Sequence, residues 1–500
     1  MNIRKTGDLP VVIKADNGVD DSLTRRDILR NGGYLMMGSA LAGCGNAADT
    51  EVASGTTVQE HQATEDLYEQ GSVPIANSGW TQTLGVAPDY PALEQDLTAD
   101  VVVVGAGLAG SSLALHLTEL GLSTVVLEMH QPGWGASGRN AGHVLPLLRD
   151  MSVFESFPDQ GRAFFELFRE HHGIPFEIAQ RYNIDCDATQ SGYLNAMTSQ
   201  SAFEKFHAAS TQPADKLGQN LESVDAPAML AMTGSNYYSH GVLYPSGGRI
   251  NPYLFTAGMS AAARAQGARI FGDTEVTSLS QNGDDWRVRV QNGSTVRCKR
   301  VVFCTNAYAT DVVPELRQSC YPMTAYALSS GPLPHELRDQ IMPSRATLAQ
   351  VPFDLNPFLI DGHDRIITAS MPSRAKPWDA DWHFQQHLAW IHRTWPVTRE
   401  FPIKLQAYWT GKVAMRQQEF PGMYELRPGI YGLMHFNAWG NVMAPLMGRA
   451  LATAIARDRL DQLPFPIERP QAVSNPGKQE FLIRSLMIPA ARIAQRLGIL

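Results

Sequence analysis

Three glycines and one acid stand at a spacing that suits a phosphorylated ligand. Asp100 leads into the β-branched run Val101-Val102-Val103-Val104, followed at once by Gly105-Ala106-Gly107-Leu108-Ala109-Gly110. The run predicts a buried parallel strand, Ser111 to Leu120 a helix ended by Gly121, and Ser123 to Glu128 a second strand. In such a unit Gly105 allows the tight turn, Gly107 admits a pyrophosphate against the backbone, and Gly110 lets helix and strand approach, with Ala106 and Ala109 keeping the turn small. The helix N-terminus offers free N–H groups and the positive end of its dipole to phosphate. Glu128, 18 residues beyond Gly110 (128 − 110), is placed to accept from ribose hydroxyls and to repel a 2′-phosphate. Together these residues predict a bound dinucleotide and leave FAD and NAD both open.

The next stretch narrows the choice. Gly133-Trp134-Gly135-Ala136-Ser137-Gly138-Arg139-Asn140-Ala141-Gly142-His143 resembles the second flavin motif of the glycine oxidase and D-amino-acid oxidase superfamily, and within it the γ-glutamylputrescine oxidoreductase branch, with Ala141 in place of a family glycine. Gly135, Ala136, Ser137 and Gly142 are small enough for close passage by the pyrophosphate and isoalloxazine, while Arg139 and Asn140 can donate hydrogen bonds. Later stretches match in order: Gly241 to Pro252, Glu275-Val276-Thr277, Val301 to Tyr308, Tyr408 to Ala414 and Phe436 to Gly448. The resemblance spans roughly Tyr90 to Pro464 and implies FAD contacts from Val276, Thr305, Asn306, Trp409, Gly411, Gly440 and Asn441. A helix start at Gly440 would face the flavin pyrimidine carbonyl. Met415 stands near where relatives with covalent flavin carry cysteine, so non-covalent FAD is expected. Arg416 and Gln418 depart from a threonine and aspartate common in relatives.

The resemblance further implies oxidation of a C–N bond in an amine or amino acid, by hydride transfer to flavin N5 and hydrolysis of the imine. The electron acceptor stays open among oxygen, a quinone and a redox carrier. His143 is the candidate titrating group, or else a histidine bonded to backbone. Tyr244 and Arg249 are candidates to face substrate, Arg249 by pairing a carboxylate or instead as an inter-domain clamp. Trp409 and Trp439 are candidate pocket walls. Two competing readings are a flavin dehydrogenase of a hydroxy acid or polyol phosphate, and a non-catalytic exported FAD-binding partner.

The expected fold is α/β, a Rossmann-like FAD-binding domain interleaved with an α+β substrate domain built on an antiparallel sheet. Residues 71–150, 240–318 and 406–465 are assigned to the first and 151–239 and 319–405 to the second. Strand-like alternation runs over Leu359 to Ser370 and Arg287 to Val290. The extension 466–500 carries an amphipathic helix, Phe481 to Leu500, interrupted at Pro489, which would lie on a membrane interface or pack on the domain or a partner subunit.

The ends and the composition set the compartment. Arg25-Arg26, the weakly apolar stretch Gly32 to Leu41 and Leu41-Ala42-Gly43-Cys44 resemble a twin-arginine export signal with a lipobox over residues 1–44. Export to the periplasm or the periplasmic face of a bacterial membrane follows, anchored through a lipid on Cys44, with 45–70 as a flexible tether. With 49 acidic against 41 basic residues and no basic stripe, nucleic acid is not an expected partner. Five cysteines without paired spacing predict neither a metal site nor a disulfide framework. Oligomeric state is not legible.

Overall fold

Val101–Val104 (β1) buries all four side chains because both its edges and both its faces are covered. Parallel neighbours flank it, Arg300–Phe303 on one side and Thr124–Leu127 (β2) on the other. Leu108–Glu119 (α1) crosses between the two strands. A computed structural model supplies these coordinates and describes residues 65–82, 87–145, 148, 150–416, 418 and 420–496. Arg25, Arg26, Cys44 and the expected tether up to residue 64 lie outside the described residues.

The complete sheet has seven strands in the order Ile467–Glu468, Gly422–Arg427, Ile430–Met434, Arg300–Phe303, β1, β2, Arg269–Phe271. The five strands from Ile430–Met434 to Arg269–Phe271 are parallel, so long connections must leave the sheet and return. The helix Gly440–Ala456 closes on α1: a Cβ at Gly448 would stand 3.0 Å from the Ala109 carbonyl. Pro445 inside that helix carries a carbonyl that accepts from Ser112 Oγ at 2.8 Å.

A second sheet of eight strands runs Leu405–Met415, Tyr321–Pro332, Arg365–Ser370, Phe358–Ile360, Thr347–Gln350, Tyr193–Met197, His240–Tyr244, Glu222–Val224. It is antiparallel except where Thr347–Gln350 meets Tyr193–Met197. Two assignments change here. The strands His240–Tyr244 and Leu405–Met415 belong to this sheet, although their sequence neighbours join the dinucleotide unit; alternation marks a strand but does not name its distant partner. The strand-like stretch Leu359 to Ser370 is a hairpin, Phe358–Ile360 and Arg365–Ser370, turned at Asp364 with φ +59°. The sheet separates two cores. Trp409, Ala327, Leu359 and Ile367 face Val73 and Trp80, while Tyr326, Leu328, Tyr408 and Phe358 lie under the helix Ala380–Thr394.

The tether also ends earlier than expected. Residues 65–70 form a helical turn fixed by backbone acceptors: Thr410 donates to the Tyr68 carbonyl at 2.8 Å and Thr324 to that of Glu69 at 2.7 Å. Trp80 then donates Nε1–H to the Asn140 carbonyl at 2.8 Å. A third, four-stranded sheet of Leu97–Thr98, Thr295–Cys298, Asp285–Val290 and Val276–Asn282 buries Trp286, Val288 and Val290 in strict alternation. At the C-terminus the interruption expected at Pro489 does not end the helix. Leu482–Met487 is a π-helical stretch, and Pro489 follows it inside a helix that continues without a gap to Arg496, so the pitch changes just before the proline.

Candidate cofactor site

The glycine turn is built as its spacing requires. Gly105 has φ +98°, and a Cβ on Gly110 would lie 1.9 Å from the Gly105 carbonyl oxygen, so any larger residue there would separate α1 from β1. A Cβ on Gly107 would meet Ser137 Oγ at 2.7 Å, and that hydroxyl instead accepts the Leu108 N–H at 2.9 Å. Glu128 accepts the N–H of Ala106 at 2.7 Å and of His130 at 3.0 Å. Burial raises its pKa and the two N–H donors oppose the rise. Each oxygen keeps a lone pair for a ribose hydroxyl.

These residues open onto a cavity of 420 Å³, within the range of small-molecule sites. Of the residues expected at the cofactor, Gly105, Gly107, Glu128, Gly135, Ala136, Ser137, Val276, Thr305 and Asn306 line it. Ala106, Ala109 and Gly110 lie beneath it in the turn and helix, buried. Residues not anticipated complete the wall: Gln70, Ser72, His130, Trp134, Tyr308 and Lys412. Trp134 and Tyr308 fall inside recognised motifs. Gln70 and Ser72 carry no local signal, since packing of the chain before Gly79 on the Leu405–Met415 strand brings them in.

The other expected residues form a second cluster joining three distant segments. Asn140 and Asn441 exchange side-chain hydrogen bonds at 3.0 and 3.1 Å, and Asn441 also donates to the His143 carbonyl at 2.8 Å. Trp409 donates Nε1–H to the Arg139 carbonyl at 2.9 Å, and a Cβ on Gly411 would approach Arg139 Cβ at 3.2 Å. Gly142 has φ +78° and faces the Ile250 carbonyl. Just before Gly440, His435, Asn437 and Ala438 all have positive φ, +62°, +44° and +67°. Such a conformation in alanine is costly and concentrates where surroundings over-determine the backbone. Arg416 holds the facing loop, donating its N–H to Asn437 Oδ1 at 3.2 Å and Nη1 to Glu468 at 2.8 Å.

Arg139 is the electrostatic peculiarity of the site. Only 3% exposed, it donates Nε to the Trp134 carbonyl and Nη1 to the Thr410 carbonyl, lies 4.7 Å over the Trp134 ring, and leaves Nη2 without a partner. No carboxylate pairs with it among the described residues. Burial lowers its pKa, with Tyr308 opposing. Thr305 Oγ1, at the cavity wall, is likewise buried and unpartnered. A buried guanidinium beside a phosphate-sized cradle suits an anionic ligand, and the residues present fit FAD.

The three residues expected to meet substrate fare differently. Arg249 is paired within the protein, Nε and Nη2 binding both oxygens of Asp187 at 2.9 and 3.0 Å, which is the clamp alternative and leaves only Nη1 unpartnered. Asp187 is 62 residues away, and Gly362 N–H also donates to it at 2.8 Å. His143 does not titrate near neutral pH: burial brings its pKa down to about 4, so it is neutral, with Nε2 unpartnered. Its ring lies 6.1 Å from that of Tyr193, and Tyr193 pairs with Tyr244, which is 3% exposed on the same sheet. Trp439 is buried at the start of the Gly440–Ala456 helix.

Comparison with known proteins agrees with this construction. The chain is 28% identical over 394 residues to gamma-glutamylputrescine oxidoreductase of Escherichia coli (strain K12), covering 75% of this chain and 90% of that protein. Its fold is similar to L-proline dehydrogenase from P. horikoshii, with TM-score 0.60, 18% identity and coverage of 74% and 96%. Glycine oxidase from Bacillus cereus ATCC 14579 gives TM-score 0.58 at 19% identity, covering 72% and 95%. The profile of the FAD dependent oxidoreductase family, DAO, matches residues 100–454, and with it the glycine turn, the Arg139 loop and the Gly440 helix find one explanation: this chain belongs to that family of FAD-dependent enzymes.

Proposed function

We propose that the protein oxidises the C–N bond of an amine or amino acid, giving an imine that water hydrolyses, with FAD held non-covalently. FAD, when bound, supplies the hydride acceptor. The chain's own work is to hold it and to shape the space beside it. Glu128 would hold the ribose, the α1 N-terminus and the Gly133–Ser137 loop would hold the phosphates, and Arg139 would supply positive charge nearby. With its pKa brought down to about 4 by burial, His143 is too weak a base to take the proton of an ammonium substrate, so the amine must arrive or become deprotonated without it.

The observation that carries this reading over a hydroxy acid or polyol phosphate is the likeness to gamma-glutamylputrescine oxidoreductase, which extends over 75% of this chain and 90% of that protein.

Export and lipid anchoring on Cys44 belong to the same proposal, supported by Arg25-Arg26 and Leu41-Ala42-Gly43-Cys44. Anaerobic mixing of purified protein with amines, amino acids, hydroxy acids and polyol phosphates tests the reaction. Bleaching of the flavin by amines or amino acids is expected; bleaching by hydroxy acids or polyol phosphates alone, or by nothing, overturns it. Peroxide yield in air distinguishes oxygen from a quinone or carrier as acceptor.

A further inference from the structure

Eight large apolar side chains are exposed among the described residues, and four of them gather at one corner: Leu67, Phe481, Leu486 and Ile493, at 40%, 47%, 54% and 56%. The last three ride on the C-terminal helix. Its inner face is fully employed, with Ile483 and Ile488 against Tyr321, Met323 and Met371, and Ala491 against Phe353 and Leu355. The π-helical stretch Leu482–Met487 decides what faces outward. A π-turn holds more residues than an α-turn, which brings Phe481 and Leu486 nearer to one side, and Ile493 follows two α-turns later. In an unbroken α-helix Phe481 and Leu486 would point well apart.

The same corner is where the N-terminal chain enters. Glu69 Oε1 is 3.5 Å from Arg484 Nη1, and Tyr68 stacks at 6.1 Å on Trp378, over which Arg484 lies. Cys44 stands 21 residues before Glu65 (65 − 44), a reach of at most about 70 Å. Exposed cations border the stripe: Arg374 lies 5.3 Å over the Phe481 ring and Lys478 is in the preceding turn.

We propose that Phe481, Leu486 and Ile493 form a membrane-contact stripe that seats the enzyme on a phospholipid surface, with Arg374 and Lys478 at anionic headgroups. The choice of a bilayer as occupant rests on the lipid-anchor reading of Cys44, because the chain leading from that cysteine enters beside the stripe. Multiple chains on a lipoprotein cysteine would hold the chain at the bilayer, and a second contact surface would fix its orientation there.

The test uses the full FAD-loaded chain carrying Cys44→Ser, so that no lipid contributes, in flotation with vesicles of phosphatidylethanolamine and phosphatidylglycerol. Adding Phe481→Ser, Leu486→Ser and Ile493→Ser together is expected to lower vesicle partitioning roughly 30-fold or more. Leu120→Ser, removing another exposed leucine, should change it less than about two-fold. FAD content and thermal unfolding of each variant establish that it is folded. Equal partitioning with and without the triple substitution overturns the proposal. So does a dimer that the triple substitution splits while vesicle binding stays unchanged, which would make the stripe an interface between copies. The mass of Cys44 in the unsubstituted chain reports lipidation separately, so failure of the anchor reading is distinguishable from failure of the stripe.

Discussion

Arg139 and Arg249 are both buried, at 3% and 7% exposure, and both lie in stretches that match flavoprotein motifs, yet the fold treats them in opposite ways. Arg249 meets the carboxylate of Asp187 through two hydrogen bonds and is neutralised within the protein. Arg139 meets carbonyls and an indole face, none of which cancels its charge. A buried cation with a partner is part of the scaffold; one without is matched by something that arrives. The Arg139 guanidinium is thus left without a counter-charge among the described residues, while Arg249, though its Nη1 is also unpartnered, is charge-balanced by Asp187.

The strongest test of the contrast removes the paired arginine. Arg249→Met leaves Asp187 uncompensated and should cost about 3–4 kcal/mol in urea unfolding, with or without FAD, while bound flavin stays stoichiometric. Asp187→Asn should act similarly. Arg139→Met should do the reverse: apo-protein stability unchanged or raised, and FAD affinity weakened roughly 100-fold, read by fluorescence titration, with Arg139→Lys in between. If Arg139→Met lost apo stability as heavily as Arg249→Met, the two sites would not differ in kind.

A pH experiment sharpens the same distinction. The folded pKa of His143 is brought down to about 4 by burial, below its ordinary value, so the unfolded chain binds the extra proton between those limits. Its contribution to stability is therefore whole above about pH 6.5 and is lost as pH falls toward 4, on the order of 2 kcal/mol between pH 7 and 5. His143→Gln should flatten that acid loss in unfolding curves with FAD in excess. It should not abolish it, because His383 and His435 are also held neutral by burial. The smallest effect is expected at Trp80→Phe, which removes the bond to the Asn140 carbonyl and should cost about 1 kcal/mol, with slightly faster FAD release.

Legibility follows the distance over which each residue is determined. Gly105, Gly107, Gly110 and Glu128 answer to a turn and two adjacent strands within 24 residues of one another (128 − 105 + 1), so their types and spacing suffice. Trp134 and Tyr308 stood within motifs already noticed, but their place in the cavity wall came from the fold. Gln70 and Ser72 could not be read at all. They depend on Tyr68, Glu69 and Gly71 being hydrogen-bonded to Thr410, Thr324 and Tyr308, contacts across 237 to 342 residues. The interruption expected at Pro489 takes the form of a change of pitch just upstream, within a helix that continues past the proline.

By itself, the amino-acid sequence determined the dinucleotide turn, the acid at its second strand and the succession of flavin motifs, because these rest on backbone geometry that neighbouring residues enforce. Tertiary structure alone decided the charges: that Asp187 reaches Arg249, that no carboxylate among the described residues reaches Arg139, and that His143 is buried deeply enough to stay neutral. Charge state and ion pairing depend on which groups meet and how much water remains, and chain order does not set either.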